Sequence, residues 1–153
     1  MGPRERLAEL GIELPTAPTP VASYVPVRVS GDLVFLSGQV PLEDGQPILV
    51  GTVGRDLTVE QGAEAARRCA LQTLAAIDQH LGLDRVAGIV KVTVFVASAG
   101  GFTDQPKVAN GASDLFVEVF GDAGKHARSA VSSPSLPLGV PVEVETVAEL
   151  VSS

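Results

Sequence analysis

Tryptophan is absent from this sequence, and Tyr24 is its only tyrosine. Few side chains could therefore stack on exposed bases, which counts against single-stranded nucleic acid as a ligand. Basic residues are also scarce: 11 Lys and Arg stand against 18 Asp and Glu, a formal charge of −7. Backbone phosphates need a positive patch, so nucleic acid is not the expected partner. The single cysteine, Cys69, excludes an internal disulfide framework and a cysteine-based zinc site. No apolar run approaches the ~18 residues that a transmembrane helix needs. The N-terminus, Met1-Gly2-Pro3-Arg4-Glu5-Arg6, has no apolar signal core, so a cytoplasmic protein is expected. Ser/His/Asp motifs, phosphate loops and dinucleotide fingerprints are missing, as are repeats and low-complexity tracts.

What is present is a globular composition. The chain has 153 residues, 45% apolar and 19% charged, enough for one core without disulfides or metal. Most apolar residues are Val, Ala and Leu, a mixture of strand and helix formers. Residues 1–21 read as an N-terminal extension and 22–153 as the domain. In the extension, residues 3–11 suit a short helix stopped by Gly11, and Pro-Thr-Ala-Pro-Thr-Pro over 15–20 suits an extended spacer.

Tyr24–Val29 and Leu33–Ser37 read as a hairpin around Ser30-Gly31-Asp32, and Ile48–Val50 as a further short strand. Thr58-Val59-Glu60-Gln61 is a capping box. Behind it, Val59, Ala63, Ala66, Ala70, Leu74, Ile77 and Leu81 recur at helical spacing until Gly82. In the long strand Val86–Ala97 the alternation places Val90, Val92, Val94 and Val96 on one face and Lys91, Thr93 and Phe95 on the other. A second helix is expected from about Asp104 or Pro106 to Phe120, then strands at Arg128–Ser132 and Val142–Val151. This order implies an α+β fold, with hairpins at both ends and two helices layered on one sheet face. The other face mixes Lys91, Thr93, Glu143 and Glu145 with Phe95, which suggests an oligomer interface.

Several residues could carry chemistry. Arg128 lies in a small, apolar strand, where a guanidinium fork suits a carboxylate, the alternative being a strand-edge arginine that simply reaches solvent. Glu143 and Glu145 share one strand face and could divide acid and base roles, or simply be solvated. His80 and His126 lack a third ligand motif, so no metal site is expected. Ser37-Gly38 could aim backbone N–H groups at an anion, or form a plain turn. Asn110 is a poor helix former inside a predicted helix. Cys69 reads as a packed, inert thiol.

Together, Ser37-Gly38-Gln39-Val40-Pro41, Arg128-Ser129-Ala130-Val131, Leu136-Pro137 and Val142-Glu143-Val144-Glu145-Thr146-Val147-Ala148 resemble the RidA family, also called YjgF or L-PSP. The resemblance spans residues 22–151 and is nearest a longer branch with an N-terminal extension. It implies a chorismate-mutase-like α+β fold, assembled as a homotrimer with sites in the clefts between subunits. It implies hydrolysis of reactive enamines and imines such as 2-aminoacrylate to 2-keto acids and ammonia, without metal or organic cofactor. By the same resemblance Arg128 binds the substrate carboxylate and Glu143 positions or activates water. Tyr24, Ser37, Gly38, Asn110 and Ala130 line the pocket. Ala130 stands where the family often has cysteine, and Ser132-Ser133-Pro134 is more polar and kinked than usual there. Two other readings stay open: a non-catalytic trimeric binder of 2-keto acids, and the endoribonuclease activity attached to some family names. The acidic charge and scarce aromatics count against the latter.

Overall fold

A computed structural model describes residues 1–17, 19 and 22–152. Part of the expected spacer, at Pro18 and Pro20, and the boundary at Val21 lie outside the described residues. Among the described residues, three α-helices and seven strands follow one another: α1 Pro3–Leu10, β1 Val27–Ser30, β2 Leu33–Gln39, β3 Leu42–Glu43, β4 Gln46–Pro47, α2 Val59–His80, β5 Val86–Ala97, α3 Gln105–Phe120, β6 Ala127–Ser133 and β7 Val142–Leu150. The fold is α+β, as expected: a mixed five-stranded sheet, ordered β1-β2-β7-β5-β6, with α2 and α3 packed on it.

Local chemistry starts and stops these elements. Thr58 accepts from the Gln61 backbone N–H while Gln61 Oε1 accepts from the Thr58 N–H, a complete capping box. Gly11 ends α1 in the left-handed conformation at φ 69°. Helix α1 is fastened to the domain by an Arg4–Asp78 ion pair at 2.7 Å and an Arg6 Nε bond to the Glu118 carbonyl. Between β3 and β4, Asp44 and Gly45 both have positive φ, the two-residue hairpin turn that Asp-Gly favours.

The sheet buries Val34, Leu36, Val92, Val94, Val96, Val142, Val144 and Ala148 beneath the helices. Helix α2 is buried more broadly than its apolar stripe suggests, because α3 covers its second flank. Cys69 is among these fully buried residues, and burial pushes its thiol well above the usual range. The two helices approach closely at Gly111, where an added Cβ would lie 1.9 Å from the Ala63 carbonyl oxygen. Gly111→Ala is therefore expected to destabilise the fold by about 3 kcal/mol despite alanine's better helix propensity. A urea titration checks this, and an unchanged midpoint would refute the tight crossing.

Four expectations change. Ile48–Val50 is not a strand; the pairing forms earlier, at Leu42–Glu43 and Gln46–Pro47, because Asp44-Gly45 supplies the turn. Strand β1 starts at Val27, after Pro26, so Tyr24 lies in a bend before it. Val90 is not inward: β5 carries an extra residue between Ile89 and Lys91, which turns Ile89 in and leaves Val90 37% exposed. The C-terminal strands do not form a hairpin. Strand β7 inserts between β2 and β5, and β6 runs parallel to β5 at the sheet edge. The open face carries Leu33, Phe35 and Val131 exposed, with Phe95 and Val147 half-buried.

Candidate active site

The expected site residues form two groups. The first surrounds a cavity of about 350 Å³ lined by Tyr24, Pro26, Gly38, Val40, Leu138 and Glu143, among others. It is built by a bulge. Leu36 pairs with Thr146 and Gln39 with Val144, so Ser37 and Gly38 together face the width of one β7 residue. Strand β2 thus continues through Ser37-Gly38 instead of ending there in a turn. The bulge brings the Gly38 backbone over Glu143: a Cβ on Gly38 would lie 3.0 Å from the Glu143 carboxyl carbon. Glycine preserves the space that the carboxylate occupies. Ser37 does not line the cavity; its hydroxyl donates to the Val25 carbonyl at 2.6 Å and its backbone N–H to the Pro26 carbonyl. It thereby holds the segment that presents Tyr24.

Glu143 is half-buried, and its proton affinity is raised above the ordinary carboxylate value, first by burial and then by the neighbouring charge of Glu145. Leu138 overhangs the same cavity, 63% exposed and with φ +61°, in a conformation that disfavours a branched residue. Neither Leu138 nor Val40 is singled out as a site residue by the sequence, although Val40 stands in the Ser37–Pro41 segment that carries the family resemblance.

The second group lies at the sheet edge. Arg128 Nη1 donates to Asn110 Oδ1 at 2.8 Å and to Ser113 Oγ at 3.1 Å. Asn110 and Ser113 sit three residues apart on α3, so both reach the same strand. Among the described residues Arg128 Nε and Nη2 have no partner, which leaves that edge of the fork for a carboxylate. Ala130, two residues on, shares the face of Arg128 and packs against the core beside Val94. His126 contacts Ser113, a link that spacing alone does not reveal. Ser132-Ser133-Pro134 serves the strand ends: Ser132 Oγ meets Ser98 Oγ at 2.7 Å, and Ser133 Oγ donates to the Ser135 carbonyl. His80 Nδ1 contacts the Ala76 carbonyl, and no metal-binding cluster of His, Cys, Asp or Glu occurs among the described residues. None of the described helices is long and apolar enough to cross a membrane.

Within one chain the two groups do not meet. Arg128 pairs with Val92, on the helix side of the sheet, whereas Glu143 pairs with Phe95 on the open side. Two strand spacings and three residues of register separate them, about 10 Å across and about 10 Å along.

The chain is similar to known proteins over nearly its whole length. The family described as "YjgF/chorismate mutase-like, putative endoribonuclease" matches residues 4–150. Protein TCP17 of Trypanosoma cruzi is 48% identical over 146 residues, covering 94% of this chain and 91% of that protein. A 2-iminobutanoate/2-iminopropanoate deaminase of Salmonella typhimurium is 32% identical over 132 residues, covering 86% of this chain and 91% of that one. The crystal structure of a protein of unknown function from Agrobacterium tumefaciens superposes with a TM-score of 0.89 at 41% identity, covering 97% and 92% of the two chains. The family match over residues 4–150, the relatives above 30% identity and the superposition agree: the chain belongs to the YjgF/RidA family.

Proposed function

We propose that the protein hydrolyses reactive enamine and imine intermediates, 2-aminoacrylate-type 2-imino acids, to 2-keto acids and ammonia. The sites lie in clefts between subunits of a homotrimer. The observation that carries this reading is the division of the site into an arginine half and a carboxylate half on opposite sheet faces. Each half lacks what the other holds, and a second chain set against the open face supplies it. The exposed Phe35, Leu33 and Val131 there fit contact with another copy. The deaminase named for the Salmonella relative supports the chemistry.

In this mechanism the free Nε–Nη2 edge of Arg128 grips the substrate carboxylate and fixes the imine carbon beside a water. Glu143 takes a proton from that water as its oxygen attacks the carbon. The proton passes to the nitrogen of the resulting carbinolamine. Glu143 then takes the carbinolamine hydroxyl proton and passes it to the nitrogen, so that the C–N bond breaks, the keto group forms and ammonia leaves. A raised proton affinity suits a carboxylate that must accept a proton and then return it. Tyr24, Val40 and Leu138 form an apolar wall for the substrate side chain.

The test generates imino acids in situ with an amino-acid oxidase and traps the survivors with semicarbazide. Faster loss of trappable imine when the protein is added is the expected result. Tight binding of 2-keto acids without such loss would instead select a binding protein.

A further inference from the structure

Beyond the arginine itself, we propose that Ser113 and His126 are positioning residues that hold the Arg128 guanidinium for carboxylate capture, and that protonating His126 undoes this hold. The inference deepens the reading above and rests on it.

The Gly124 carbonyl lies 2.7 Å from His126 Nδ1 and can only accept, so the proton is on Nδ1. Nε2 is then an acceptor, and Ser113 Oγ lies 2.9 Å from it. The Ser113 oxygen accepts from Arg128 Nη1 at 3.1 Å, which leaves its one proton for His126. The chain runs one way: Arg128 to Ser113, Ser113 to His126, His126 to the backbone of Gly124. Its end is fixed. The imidazole stands edge-on to Phe116 with centroids 5.9 Å apart, and a Cβ on Gly124 would lie 2.3 Å from the Phe116 carbonyl oxygen. With Asn110 on the other side, Nη1 is held twice, and the Nε–Nη2 edge faces away from both holders.

A proton on Nε2 reverses one link. Two donors then point at the Ser113 oxygen, its own proton loses its acceptor, and a second cation stands near the guanidinium. The charged groups on the surrounding elements do not offset this. Arg128 opposes charge on the ring, Lys125 and Asp122 pair with each other at 3.1 Å, Asp114 on α3 is exposed, and Lys91 on β5 reaches Ser129. Burial and Arg128 accordingly hold His126 below its usual range, while the Gly124 carbonyl works the other way.

Steady-state imine loss between about pH 5 and pH 8 reads the device. In the wild type KM should climb on the acid side. Ser113→Ala should raise KM about tenfold at neutral pH and abolish that climb, because a bond to a charged group is lost. His126→Phe keeps the ring packing and should behave likewise. His126→Gln places an uncharged acceptor near Ser113 and should recover most of the neutral-pH KM without the acid climb. Thermal melts confirm that each variant is folded. Calorimetric binding of 2-oxobutanoate to the same variants reads Arg128 without turnover. Absent turnover with Ser113-sensitive binding would overturn the deaminase reading alone. Unchanged KM and binding in Ser113→Ala, with the acid climb intact, would overturn this inference.

Discussion

Arg128→Ala is expected to lower kcat/KM for a small 2-imino acid about a thousandfold, since two charge-assisted bonds of about 2 kcal/mol each are lost. The side chain is well placed to matter this much. Its Nη1 is committed to Asn110 and Ser113, so the fork meets the substrate already oriented. Arg128→Lys keeps the charge but not the planar fork, and should fall between alanine and wild type. The fold should survive either change, because Arg128 is only half-buried and stands on the edge strand β6. Near-wild-type turnover by a folded Arg128→Ala protein would refute the carboxylate clamp.

Glu143→Gln should lower kcat about 10²- to 10³-fold with little change in KM, the effect of removing a general base. The wild-type kcat should rise with pH through the Glu143 transition, above the ordinary carboxylate range of about 4.3, because the ionised form is the active one and burial disfavours it. The same shift has a consequence for stability. A carboxyl whose folded pKa is raised binds more protons folded than unfolded, so its contribution to stability declines as pH rises through that window. Glu143→Gln should therefore be at least as stable as wild type at neutral pH while far less active. A glutamine variant that melts lower and turns over normally would refute both halves of the argument.

The two variants together test where the site lies. Equal amounts of inactive Arg128→Ala and Glu143→Gln chains, unfolded and reassembled together, should regain activity. If each site takes its arginine from one subunit and its carboxylate from another, about one site in four has both. A site contained in one chain would regain nothing.

The local rules were legible in the sequence where they act over a few residues. The Thr58 capping box, the αL stop at Gly11, the α2 periodicity and the bounds of α3 all follow from short-range sterics and hydrogen bonds. The family was legible too, through the Ser37-Gly38 and Arg128-Ser129 segments. Nonlocal pairing was not legible. Whether β7 pairs with β6 or inserts between β2 and β5 depends on which apolar faces meet across the whole sheet, and a chain of alternating valines satisfies either. The bulge at Val90 is invisible for the same reason: one added residue inverts a face without altering composition.

An acidic α+β protein of the YjgF/RidA family could be read from the sequence without coordinates, and the roles proposed for Arg128 and Glu143 come from that family resemblance. Tertiary structure alone decided that these two residues lie on opposite faces of one sheet, that Ser37 braces the Tyr24 segment instead of lining the cavity, and that Ser113 links Arg128 to His126. The reason is physical. Backbone propensities act between near neighbours, whereas the direction in which a side chain meets its partner is set by strand order, register and the depth at which α3 packs.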